Sequence, residues 1–252
     1  MKKVTSVKVL GTKISILDYP AALSVINNEI IKARSSFVCV SAVHLLMESY
    51  NDKNLQKSIN QSLMTTSDGI PITWVSGLVL RRKVQRIYGP DLMLKVCKLA
   101  QKKGYKIFLL GGAINQGLDL RKSLIKRFPR LKLVGIEETP IRPIPKEQDN
   151  RIIREILKAK PDIIFVGLGC PLQEKWMIQN YKHFDRGVFI GVGAAFDFIS
   201  GWVKQAPEWI QDSGLEWLFR VFQDPKRLWR RYFLTNTQFI FEVVKNYKTF
   251  IN

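Results

Sequence analysis

Three segments of the chain run an apolar, partly β-branched stretch straight into glycines: GYKIFLLGG (104–112), KPDIIFVGLG (160–169) and RGVFIGVGA (186–194). Continuous apolar runs of this length suit parallel strands buried on both faces. Between them lie the helical patterns INQGLDLRKSLIKRF and KEQDNRIIREILKAK. Alternating strand and helix predicts an α/β fold, a Rossmann-like, doubly wound, mostly parallel sheet with right-handed crossovers. An earlier strand, SSFVCVSAV, and the later run GVFIGVGAAF bracket this core, which is expected over residues 1–200. Ligands of such sheets sit beyond the carboxyl ends of the strands, so chemistry is sought just after the glycines.

Past Gly201 the character changes. Twelve aromatic residues fall between Trp202 and Phe250 and no further glycine-ended strand follows, so a helical appendage is expected over 201–252. Asp224 and Pro225 read as an N-cap and first helical position. From there Arg227, Arg230 and Arg231 share one helical face, while Trp229, Tyr232, Phe233 and Ile240 lie elsewhere on the helix. The stretch SGLEWLFRVFQDPKRLWRR (213–231) thus combines cations with large apolar groups. A nucleic acid, a membrane surface and a packed core would each use that mixture differently.

With 252 residues and 46% hydrophobic content the chain can bury one large core, and its formal charge of +19 implies an anionic partner. Cys39, Cys97 and Cys170 are odd in number and set in apolar runs, which reads as buried thiols in a reducing compartment. His44 and His183 have no metal-ligand spacing to other donors, and no zinc site or other metal is expected. Lys8 and Lys13 interrupt any signal-peptide core, and no run approaches the ~18 apolar residues that span a bilayer. A cytoplasmic location, peripheral on the inner face of the membrane, is the expectation.

Several polar residues stand where the strands end. In TTSDGIPITW, Asp68 precedes a glycine and a proline: a turn, or a carboxylate held at a loop as a general base. In QRIYGPDLM, Arg86 precedes a Gly-Pro turn and Asp91 opens the next helix; the guanidinium is either solvated or a bidentate clamp for a diphosphate. GLGCPLQEKW brings Gln173 and Glu174 to a helix N-terminus, where an anion is favoured, with ligand contact expected of Gln173 and capping of Glu174. Gly111 and Gly112 permit close backbone approach, although LLGGAIN is not the G-x-G-x-x-G fingerprint. Asp197, in the otherwise apolar GVGAAFDFISG, needs buried partners or a substrate.

Taken together, SDGIP, RIYGPDL, GLGCPLQEKW, GVGAAFDFISGWVKQAPEW and GLEWLFRVFQDPKRLWRR resemble the WecG/TagA/CpsF glycosyltransferase family, over about residues 10–233. The resemblance implies a membrane-associated, inverting glycosyltransferase of bacterial surface polysaccharide synthesis. It would move a sugar of the N-acetylmannosamine type, its uronic acid or a hexose from a nucleotide-sugar donor, a UDP-sugar, to a polyprenyl-diphosphate-linked acceptor. Activities in the family serve teichoic acid linkage units, enterobacterial common antigen and exopolysaccharides. It makes Asp68 the catalytic base, puts Arg86, Gln173 and Asp197 in the active site, and sends Arg220, Arg227 and Arg230 to the lipid diphosphate at an anionic membrane surface. One departure concerns the donor: Val40 and Ala42 stand where the family carries a Thr-x-Asn element, with Ser41 and His44 nearby. No Asp-x-Asp metal motif is present, so metal-independent transfer is expected, with arginines and helix-terminal amides stabilising the charge.

The rivals are weaker. A nucleic-acid-binding protein could use the basic-aromatic tail, but no RNP, helix-turn-helix or OB-like pattern accompanies it, and no nucleic acid is expected as partner. A nucleotide-dependent oxidoreductase would need the glycine fingerprint and an acidic ribose ligand. A structural scaffold leaves Asp68, Gln173 and Asp197 unexplained. The sequence leaves a homo-oligomer open.

Overall fold

The glycine-ended runs become strands. In the computed structural model, which describes residues 4–246, the chain order is β1 (Ser6–Val9), β2 (Thr12–Ser15), α1 (Tyr19–Ile31), β3 (Ser35–Ser41), α2 (Val43–Asn51), α3 (Lys53–Ile59), β4 (Met64–Ser67) and α4 (Ile70–Leu80). It continues through α5 (Gly89–Lys103), β5 (Lys106–Gly111), α6 (Gln116–Arg127), β6 (Lys132–Glu137), α7 (Lys146–Ala159), β7 (Ile163–Gly167), α8 (Leu172–Asn180), β8 (Gly187–Gly191) and α9 (Ala195–Ser200). It closes with α10 (Glu208–Asp212), α11 (Glu216–Gln223) and α12 (Pro225–Lys245). These elements form two compact units, one from Tyr19–Val40 and Gly89–Lys204, the other from the chain up to Asp18, Ser41–Tyr88, and the chain from Gln205 on.

The first of these units holds the parallel strands in the order β3-β8-β7-β5-β6. β5, β7 and β8 are buried along almost their whole length, as runs without polar alternation require. From β5 the chain steps to β6 on one side, then crosses back to β7 and on to β8. With right-handed crossovers this reversal places helices on both faces, the doubly wound arrangement, and opens a crevice where the carboxyl ends of β5 and β7 part. Gly111 sits at that point opposite Gly167. Its φ is +118°, and a Cβ there would lie 2.5 Å from the Gly167 carbonyl oxygen, so only glycine fits. Cys39 and Cys97 are buried in this unit, and burial pushes both thiols up. Cys170 is half-buried, because it lies in the loop between β7 and α8 rather than in the apolar run before it.

The second unit begins with an antiparallel hairpin, β1 with β2, turned at Leu10 and Gly11, both in the left-handed region. Val7, Val9, Leu10 and Ile14 meet Leu46 and Met47 of α2, Ile72 and Val75 of α4, and Phe239 of α12 in one core. Tyr50 donates to Glu242 at 2.7 Å, and Asn51 and Gln238 exchange side-chain hydrogen bonds. The 21 residues of α12, about 30 Å of helix, are therefore fastened along one side to the hairpin and α2. The opposite side is apolar and exposed: Trp229, Phe233, Leu234, Ile240, Phe241 and Val244. Among the described residues no helix is long and apolar enough to cross a membrane.

Candidate active site

In the hairpin unit, Asp68 follows β4 and precedes α4. Its backbone N–H donates to the Ser41 carbonyl at 2.9 Å, as does that of Gly69 at 3.3 Å, so the end of β3 fixes the loop through a carbonyl that any residue type supplies. The segment after α4 returns along β4, where Ile87 donates to the Ser67 carbonyl at 2.9 Å. That return brings Arg86 beside Asp68. Arg86 Nε donates to the Asp68 carbonyl, and Nη2 stands 3.9 Å from Asp68 Oδ1.

The strong partner of Arg86 is a residue the sequence did not single out. Glu216, first residue of α11 and 9% exposed, accepts from Arg86 Nη2 at 2.6 Å through Oε2 and from the Tyr88 hydroxyl at 2.7 Å through Oε1. The Tyr88 ring lies under the guanidinium at 4.2 Å, and Arg86 Nη1 reaches the Gln211 carbonyl at 3.4 Å. Burial works to lower the basicity of Arg86, but the Asp68 and Glu216 carboxylates outweigh it and raise its pKa, so the guanidinium stays charged. Burial, followed by the Glu216 carboxylate, holds the Tyr88 phenol far above the usual tyrosine range, which keeps it a donor. One guanidinium thus serves two carboxylates unequally, Glu216 by a direct charge-assisted bond and Asp68 at longer range.

In the parallel-sheet unit the switch point carries Gly111, Gly112, Gln173 and Asp197. Gln116, 3% exposed and unremarked in the sequence, donates to Asp197 Oδ1 at 2.6 Å, while its own Oε1 accepts from Ala113 N at 3.0 Å. The same Oε1 would lie 2.8 Å from a Cβ on Gly112, whose φ is +90°. Gln116 therefore ties the glycine turn to the carboxylate. Glu138 accepts from Asn115 N at 2.9 Å and Gly117 N at 2.7 Å, so a carboxylate of the chain itself occupies the N-terminus of α6. Gln173 is buried against the end of β8, near Gly191 and Gly193, and donates to the fully buried Glu174 at 2.7 Å. Among the described residues its Oε1 has no hydrogen-bond partner. The remaining sequence candidates lie on helices of the hairpin unit: Arg220, half-buried on α11, and Arg230, exposed on α12. Arg227 falls on α12, and its side chain lies outside those described. Among the described residues no three His, Cys, Asp or Glu side chains come together in a way that could hold a metal ion.

Within one unit, then, Asp68 and Arg86 are brought together; within the other, Asp197 joins the Gly111–Gly112 turn, and Gln173 lies at the end of β8. A family model described as the Glycosyl transferase WecG/TagA/CpsF family matches residues 7–251. The chain is 34% identical over 204 residues, 79% of its length and 76% of the relative's, to an N-acetylglucosaminyldiphosphoundecaprenol N-acetyl-beta-D-mannosaminyltransferase of Bacillus subtilis (strain 168). It is 28% identical over 214 residues, 84% of this chain and 80% of the relative, to a protein of the same name from Bacillus spizizenii. A third of that name, from Staphylococcus aureus (strain MRSA252), is 30% identical over 175 residues, 68% of this chain and 66% of the relative.

Proposed function

Because the chain belongs to the WecG/TagA/CpsF glycosyltransferase family, we propose that it transfers an N-acetylmannosamine-type sugar from a UDP-sugar to a polyprenyl-diphosphate-linked N-acetylglucosamine, with inversion. The carrying observation is Asp68: a carboxylate at a loop after a strand, held through its own carbonyl by Arg86, whose charge Glu216 takes. In the proposed step Asp68 accepts the proton of the acceptor hydroxyl as that oxygen bonds to the anomeric carbon from the face opposite the leaving group. The bond from the anomeric carbon to the diphosphate breaks and the nucleotide leaves as UDP. Such proton removal by a positioned base contributes about 10²–10⁴-fold.

The donor is assigned to the β5–β7 switch point. Asp197, fixed by Gln116, offers a carboxylate acceptor for sugar or ribose hydroxyls, and Gln173 adds a buried amide oxygen. Glu138 at the α6 N-terminus argues that the diphosphate is not cradled there. Arg220, Arg227 and Arg230 are assigned to the lipid diphosphate of the acceptor, and transfer proceeds without a divalent ion, with arginine stabilising the charge that develops. The apolar outer side of α12, with Lys226, Arg230 and Lys245 on the same helix, supports docking on an anionic leaflet, where the lipid acceptor resides. The test is a screen of nucleotide sugars against a short-chain polyprenyl-diphosphate N-acetylglucosamine acceptor, with products identified by mass. A disaccharide carrying one added N-acetylhexosamine, formed only with the N-acetylmannosamine donor, is expected; transfer of a hexose alone refutes the donor assignment.

A further inference from the structure

At the edge of the parallel sheet opposite the switch point, four cations gather around one concavity that no step described above uses. It measures about 400 Å³ and is lined by Lys98, Gln101 and Lys102 of α5, with Gly104, Arg130 and Lys132. We propose that this concavity is a binding site for a soluble multivalent phosphate anion of the diphosphate class, distinct from the donor site and independent of the transfer reading.

Its placement is fixed by local structure. Lys98, Gln101 and Lys102 stand in the last two turns of α5, Gly104 follows them with φ +75°, and Lys132 opens β6. These positions lie at the amino ends of β5 and β6, and the six residues of β5, about 20 Å of strand, separate them from Gly111. Gln101 Oε1 accepts from Arg130 N at 2.9 Å, which ties the loop between α6 and β6 to α5. A Cβ on Gly104 would lie 3.6 Å from Lys132 Nζ, so the ammonium group sits over the turn.

The charge there is uncompensated. No carboxylate lines the concavity, and among the described residues the side chains of Lys98, Lys102, Arg130 and Lys132 have no hydrogen-bond or ion-pair partner. Asp162, the acidic residue just before β7 at the same edge, is taken by Lys106 N at 2.8 Å and by Arg186. The negative end of the α5 dipole accounts for Lys98 and Lys102. It does not account for Arg130 and Lys132, which come from another stretch of chain and add repulsion that a bound anion would offset. Two phosphate groups at about −1.5 to −2 each match four cations. Lysines serve phosphate oxygens as point charges, and Arg130 adds a planar fork. The volume falls in the small-molecule range of about 300–1,000 Å³, yet no aromatic ring lines it to stack a base, so recognition rests on the phosphates.

The experiment titrates inorganic diphosphate into the full chain by calorimetry, in metal-free buffer at about 0.15 M ionic strength. The unaltered protein is compared with a site variant, Lys98→Gln, Lys102→Gln and Lys132→Gln together, and with a control of equal net charge, Lys146→Gln, Lys158→Gln and Lys182→Gln; all six lysines are exposed. Expected is a fall in diphosphate affinity of about tenfold or more in the site variant and a change within about twofold in the control, with UDP affinity unchanged in both. Equal affinity in the site variant and the unaltered protein overturns the site, and equal weakening in both variants overturns it too, because net charge alone would then attract the anion. Sedimentation with vesicles of equal parts phosphatidylglycerol and phosphatidylcholine separates the sources: vesicle binding lost in the site variant while diphosphate binding persists makes the ligand a lipid headgroup and overturns the soluble assignment. A second measurement needs no substitution. Diphosphate is expected to slow acetylation of Lys98, Lys102 and Lys132, read by mass spectrometry, relative to Lys146, Lys158 and Lys182; equal rates at the two sets overturn the site.

Discussion

Phe239 and Ile240 are neighbours on α12 with opposite fates, 4% and 62% exposed, and they separate what the helix does for the fold from what it does at a surface. Phe239 enters the core built by the hairpin, α2 and α4. Phe239→Ala removes a nearly fully buried ring, a transfer loss of about 1.5–3 kcal/mol, to which the unfilled cavity adds, for a total of about 3–5 kcal/mol. With a urea m-value of about 2–3 kcal/mol/M, the unfolding midpoint falls by about 1–2.5 M. Ile240→Ala removes no packed group and gains slightly in helix propensity, so its stability stays within about 0.5 kcal/mol of the unaltered protein. If the outer side of α12 lies in the headgroup region, however, that variant loses up to three buried carbons, about 2 kcal/mol at ~0.8 per carbon, or roughly 10- to 30-fold in vesicle partitioning. Urea unfolding followed by circular dichroism, beside sedimentation with vesicles of mixed anionic and neutral lipid, reads both quantities. Equal urea midpoints for the two variants refute the anchoring of α12 in the hairpin core, and equal vesicle affinity of Ile240→Ala and the unaltered protein refutes the membrane-facing role of its outer side.

Three further outcomes are expected. Asp68→Asn lowers kcat by about 10²-fold or more while nucleotide affinity, measured by calorimetry, is unchanged; near-normal turnover removes the base from Asp68. Transfer continues in excess chelator; complete loss restored by magnesium or manganese shows that a divalent ion does the work assigned to arginine. Replacing Arg220, Arg227 and Arg230 together with glutamine weakens binding to anionic vesicles by about 2–3 kcal/mol, at about 1 kcal/mol per cation near the leaflet, and lowers transfer to the lipid acceptor. Unchanged vesicle affinity would leave these arginines no part in membrane binding. Substitution is the cleaner probe here than truncation at Gly201, which would strip Leu228 and Phe239, both buried, from the fold.

The parallel sheet was legible because burial on both faces leaves a continuous apolar run, and β5, β7 and β8 each carry one. β6 escaped notice because it borders only β5, and KLVGIE accordingly mixes half-buried and exposed positions. The hairpin was missed for a different reason: Ser6–Val9 and Thr12–Ser15 are four residues each, interrupted by Lys8 and Lys13, and their core partners lie tens to hundreds of residues away. Asp68, Gln173 and Asp197 stood out in the sequence because they are polar residues at strand ends beside glycine turns. Their supports were not. Glu216 sits in a helix whose sequence reads as amphipathic, Gln116 and Glu138 look like ordinary helix and loop polar residues, and only tertiary contact reveals that each holds a backbone turn or a charged side chain. Ser41 contributes a backbone carbonyl, which side-chain identity does not betray.

The unit that carries Asp68 is assembled from three stretches of chain, and its core joins Val7 to Phe239. Closing so long a separation is entropically expensive and kinetically late, since the contact has no local precursor. At synthesis rates of about 5–20 residues per second, the hairpin and α2 wait on the order of 10–40 seconds for Phe239 to be made. Over that interval the glycine-ended strands of the other unit are already available to pair. Glu216, with its bond to Arg86, likewise follows the hairpin and α2 along the chain. A nascent chain halted after α9 would carry the switch-point residues but neither Glu216 nor the Phe239 that closes the hairpin core.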